Sequence, residues 1–171
     1  MTTDTIQAAA LGSRRQTAAS RGIFQSLIAT TNDVGPTILR LMLALVIFPH
    51  GAQKALGWFG GYGMSGTLGF FGSMGIPVVF GLLAIAAEFL GAIGLAVGLL
   101  SRVAAFGIAS TMAVAILTVH VHNGFFMNWA GTAKGEGFEY HLLVLAMTLV
   151  IMVKGGGKAS LDRALTRRSE G

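Results

Sequence analysis

The chain reads as an all-α protein: a four-helix transmembrane bundle with both termini cytoplasmic and a Gly- and aromatic-rich loop between spans 1 and 2. Three observations lead there. Hydrophobic residues make up 53% of the 171 positions and charged residues only 11%, far below the roughly 25% charged content that covers a water-facing surface. Four apolar stretches are long enough, or nearly long enough, to cross a bilayer, which takes about 20 residues in a helix. The basic residues flank these stretches instead of forming a surface interleaved with aromatics, so the net charge of +5 speaks for topology and against a nucleic-acid partner. There are no cysteines, which removes thiol relays, iron–sulfur clusters and zinc–thiolate sites.

Three regions are expected: a flexible or surface-lying N-terminal tail over 1–35, a four-span membrane domain over 36–155, and a basic C-terminal tail over 156–171. The tail from residue 1 lacks the apolar core of a secretory signal. Span 1 is expected from Pro36, with Asn32 and Asp33 as capping oxygens, to about Leu56, with a kink at Pro49. From Gly57 to Gly75, eight of nineteen residues are Gly, interspersed with Trp58, Phe59, Tyr62, Phe70 and Phe71; this reads as an interfacial or partly re-entrant loop. Ile76–Leu100 is the cleanest span, with Glu88 its one charge. Its pairs Ala87/Gly91 and Gly94/Gly98 permit close helix contact. Span 3 runs from Val103 to about His122, and span 4 from Phe138 to Val153.

Orientation follows from counting cations. With the termini inside, Arg14, Arg15, Arg21, Arg40, Lys154, Lys158, Arg163, Arg167, Arg168 and Arg102 lie inside, and only Lys54 and Lys134 lie outside.

A charge within hydrocarbon is costly, so each ionisable residue at that depth is a candidate for function. Arg40 and Glu88 are expected to form a buried structural or proton-relay pair. His50, Gln53 and Lys54 share one helix face. His120 and His122 end span 3, and Glu139 and His141 begin span 4. All four histidines of the chain thus fall in the outer half. Histidine, lysine and carboxylate there can bond a quinone carbonyl or quinol hydroxyl and move its protons. Metal or haem ligation stays open without being expected, since His120 and His122, two apart, point to nearly opposite sides. The bland alternative is snorkelling at the interface.

The element Arg40…His50-Gly51-Ala52-Gln53-Lys54, the stretch Gly66-Thr67-Leu68-Gly69-Phe70-Phe71-Gly72-Ser73-Met74-Gly75-Ile76-Pro77, the glutamate in Ala87-Glu88-Phe89-Leu90-Gly91, the His at the end of span 3 and Glu139-Tyr140-His141-Leu142-Leu143 together resemble the DoxX family over about 36–155. The resemblance implies a prokaryotic inner-membrane protein with a polar set of Arg40, His50, Lys54, Glu88, His120 and Glu139. The family includes subunits associated with thiosulfate:quinone oxidoreductase. The expectation is a quinone-interacting subunit of a membrane redox system, with partner subunits or further copies of itself, and an outer pocket of His50, Lys54, His120 and Glu139; Gln53, His141 and His122 are secondary. The alternative is a non-catalytic subunit that anchors or stabilises a larger complex.

Overall fold

A computed structural model describes residues 22–168. All regular structure among them is helical: α1 (Ile23–Ile28), α2 (Val34–Leu56), α3 (Gly63–Ser73), α4 (Val78–Val97), α5 (Ser101–Thr118), α6 (Glu139–Lys154) and α7 (Leu161–Arg168), with 3₁₀ turns at Trp58–Gly60 and His120–Asn123. The helices α2, α4, α5 and α6 pack in that order, and α6 returns to α2, closing a four-helix ring. Its core is shared by all four: Leu43, Ala44 and Ile47 from α2, Ala92 and Leu95 from α4, Ala105, Ile108 and Met112 from α5, and Val144 and Ile151 from α6.

The surface of this ring is apolar as well. Leu45, Phe80, Leu83, Phe106, Leu117 and Leu143 are each exposed by 60% or more. Water would penalise such a surface by roughly 25 cal/mol per Å², whereas lipid tails do not. Three helices, α2, α4 and α5, are long and apolar enough to cross a membrane. The fourth, α6, has 16 residues, about 24 Å at 1.5 Å per residue, and falls short of the length the other three reach.

Local chemistry sets the ends of α2. Asp33 caps it, its side chain accepting from Gly35 N at 3.0 Å. The helix therefore starts two residues before Pro36, which sits in the first turn, where a missing N–H costs nothing. It continues through Pro49 as one element. The expected loop between spans 1 and 2 is instead largely helical: Gly63–Ser73 forms α3, packed against both α2 and α4. Glycine's low helix propensity is outweighed there by the apolar contacts of the segment.

Close approach of α2 and α4 is fixed at Gly51. A Cβ at this position would lie 2.6 Å from the backbone of Phe89, so the helices touch main chain to main chain. This contact sets their antiparallel register. The small-residue face of α4 is likewise consumed within the bundle: Ala87 meets Gly107 and Gly91 meets Ile108 of α5.

The segments beyond the ring are ordered around its two chain ends. Helix α1 packs on α5 and α7, so the N- and C-terminal segments lie at the same end of the molecule. The 1–35 tail as expected from sequence is described only from residue 22, and Arg14, Arg15 and Arg21 lie outside the described residues.

Candidate functional site

The expected pairing of Arg40 with Glu88 does not occur. Register decides this: with Gly51 against Phe89, the residue opposite Glu88 is Lys54. Arg40 lies 14 residues earlier, about 21 Å along the helix. Lys54 Nζ donates to Glu88 Oε2 at 2.5 Å, with the Glu88 side chain 3% exposed and Lys54 28%. The charge buried in the middle of α4 is therefore neutralised from the His50–Lys54 turn.

Arg40, itself buried, turns to main-chain oxygens at the opposite end of the bundle. Its Nη1 donates to Leu95 O at 2.6 Å and Ala96 O at 2.7 Å, its Nε to Gly156 O at 2.9 Å, and its Nη2 to Ala159 O. The fork of a guanidinium suits this task, since it presents five donors in one plane. It binds two carbonyls of the last turn of α4, where intrahelical partners run out, and pins the strap 155–160 beneath it. At Gly157, with φ 80°, a Cβ would clash with Thr37. Asp162, 1% exposed, completes the knot by accepting Leu100 N at 2.7 Å and Ser101 N at 2.9 Å, capping α5 from α7. The basic tail of the sequence thus contains a structural acid. Its signal was present: Asp162 is the one acid between Lys154 and Arg168.

At the Lys54 end further candidates lie on α2, on the 3₁₀ turn after α5 and on α6. His50 is exposed on α2, one helical turn before Lys54, with its ring centroid 6.4 Å from that of Tyr140. Tyr140 and His141 stand 5.7 Å apart edge to face, and His141 and His120 at 4.1 Å. His120 Nδ1 bonds Glu136 O at 2.8 Å. A carbonyl only accepts, so this nitrogen carries a proton.

Two buried polar atoms in this cluster have no hydrogen-bond partner among the described residues: Tyr140 Oη and His141 Nδ1. Buried polar groups are nearly always satisfied, and leaving one unmade costs about 1–3 kcal/mol. Tyr140 was not among the residues singled out from sequence. The signal lay in its position, between two candidate residues at the start of an apolar helix.

The other candidates serve the outer turns. Glu139 is half-buried and accepts Met127 N at 2.8 Å, fastening the loop before α6, whereas Lys54 pairs with Glu88. Glu136 accepts Asn128 N at 2.7 Å in the same loop. Gln53 Nε2 reaches Phe59 O at 3.3 Å. His122 is exposed on its 3₁₀ turn. Among the described residues no group of three His, Asp or Glu side chains converges as a metal site would require.

An inside-out helical ring with a polar cluster between its helices defines an integral membrane protein of small size. Comparison with known proteins gives the family. The DoxX family model matches residues 35–121. A Bacillus subtilis (strain 168) protein named "Putative oxidoreductase CatD" is 31% identical over 119 residues, covering 70% of this chain and 79% of that protein. The chain belongs to the DoxX family. No solved structure matches it.

Proposed function

We propose that the chain is a quinone-interacting subunit of a membrane redox system, with its site at the Lys54 end of the bundle. The observation that carries this is the pair of unsatisfied buried atoms, Tyr140 Oη and His141 Nδ1, beside exposed His50 and the Lys54–Glu88 ion pair. A phenolic hydroxyl and an imidazole nitrogen offer a donor and a donor or acceptor to a carbonyl or hydroxyl entering from the lipid. An apolar ring with two oxygen atoms on opposite edges suits a site with few polar groups in apolar walls. The B. subtilis relative is named an oxidoreductase, which agrees with redox work. A quinone would supply coupled two-electron and two-proton chemistry. The residues of this chain would bind its oxygens through Tyr140, His141 and His50, and hold or release protons at His50, His120 Nε2 and the Lys54–Glu88 pair.

In this reading α6 crosses the membrane as a fourth span, slightly short and tolerated by tilt or local thinning of the bilayer. Both chain ends then face the cytoplasm, in accord with the distribution of cations, and the membrane is the prokaryotic cell membrane of the family resemblance. Partner subunits would supply the electron exchange. The anchoring alternative draws less support than the sequence lent it, because the small residues of α4 are already used against α5.

The test is quinone binding by the purified protein in nanodiscs. His50→Ala, Lys54→Ala and His120→Ala are expected to weaken binding about tenfold or more each, the loss of one or more hydrogen bonds to a desolvated ligand. Binding unchanged in all three would remove the site.

A further inference from the structure

At the end of the bundle where α1 and α7 pack together, an open groove of about 340 Å³ runs between the last turn of α4 and α7. Its lining joins three cations, Lys158, Arg163 and Arg167, to the apolar Val97, Leu161 and Ala164. Among the described residues none of these cations has an acidic partner. Among the described residues the acid nearest in sequence, Asp162, is occupied: both its oxygens accept from the start of α5, and it is buried. The groove therefore keeps its positive charge. Val97, 45% exposed, ends a helix long and apolar enough to cross a membrane, which places the groove where hydrocarbon gives way to the headgroup layer.

We propose that this groove seats the headgroup of an anionic phospholipid, its phosphate among Lys158, Arg163 and Arg167 and an acyl chain along Val97. The combination of uncompensated cations with an apolar wall calls for an amphiphile. Free phosphate would answer the cations and leave the wall bare. Clustered cations beside a span are attracted to anionic lipid, each strengthening binding about fivefold. The seat would also stiffen the fold, because α7 carries Asp162 and the strap before it carries the carbonyls that hold Arg40.

The experiment uses the full chain purified in neutral detergent. Phosphatidylglycerol or phosphatidylcholine is added, and retained lipid is counted by native mass spectrometry alongside the unfolding temperature. The expected result is retention of phosphatidylglycerol with a higher unfolding temperature, little retention of phosphatidylcholine, and no effect of inorganic phosphate. The combined variant Lys158→Gln, Arg163→Gln, Arg167→Gln should lower retention by about a hundredfold. Raising salt to 0.5 M should weaken retention by the unaltered chain, since the Debye length then shrinks to about 4 Å. Equal retention of both lipids, retention that ignores salt, competition by inorganic phosphate, or a triple variant that holds phosphatidylglycerol as well as the native sequence would each overturn the proposal.

Discussion

Lys54 and Glu88 are the residues whose roles change most once their neighbours are known. A carboxylate 3% exposed inside an apolar helix is tolerable only when compensated, and one amino group does it. Lys54→Met should destabilise the bundle by about 2–3 kcal/mol, below the usual 3–5 for a fully buried pair because Lys54 is partly open. Adding Glu88→Leu should recover most of that loss. Denaturation in mixed micelles measures both, and a double variant no better than the single one would refute the pairing argument. Tyr140→Phe separates stability from function at the same site. It deletes a hydroxyl that bonds nothing among the described residues, so the unfolding temperature should hold or rise, while quinone affinity should fall about tenfold if the hydroxyl meets the ligand. A fall in stability without a change in binding would show that the hydroxyl has a structural partner instead.

Elements are joined by a few unforgiving contacts. Gly51 is one: Gly51→Ala must push α2 off the backbone of α4, with an expected cost of about 1–3 kcal/mol, as for other overpacked interfaces, and with loss of the Lys54–Glu88 contact one turn away. A second junction joins α2 to α6 through Asp33, whose carboxylate accepts Gly35 N at 3.0 Å and pairs with Lys154 at 3.0 Å. The backbone bond to Gly35, then the bond to Lys154, hold the Asp33 carboxyl below its ordinary value of 3.8. A depressed acid stabilises the folded state above its unfolded pKa and loses that effect as pH falls through the folded one. Acidification below about 4 should therefore loosen this junction, and Asp33→Asn should flatten that part of the acid profile. An identical profile in both proteins, followed by hydrogen exchange at the start of α2, would contradict this. At the α4–α5 turn, Leu100 holds a left-handed φ of 49° with its N–H on Asp162. Asp162→Ala should cost about 2–3 kcal/mol through two buried N–H groups left open.

For the whole molecule, the arrangement of the ring makes a topological prediction. With α6 as a fourth span the two ends of the bundle face different compartments. The chain has no native cysteine, so single replacements report cleanly. Thr132→Cys, in the exposed loop before α6, should react in intact cells with a membrane-impermeant maleimide. Ser26→Cys, exposed on α1 at the other end, should react only after permeabilisation. Labelling of both in intact cells would refute the four-span reading.

Composition and periodicity alone carried the helical class, the positions of the four ring helices to within a few residues, and the gathering of histidines at one end, because each is a local property of the chain in lipid. The same signals misjudged Gly57–Gly75, where glycine content suggested loop and packing made α3. They gave no means of choosing a partner for Glu88: Arg40 and Lys54 are both cations on one helix, and only the register locked at Gly51 distinguishes them. Tyr140 and Asp162 left only a positional trace in the sequence, as their importance lies in what surrounds them. The sequence by itself determined that lipid is the solvent for much of this protein's surface. The tertiary structure decided which charges meet, since in a medium that cannot screen or solvate them a shift of one helical turn replaces every partner.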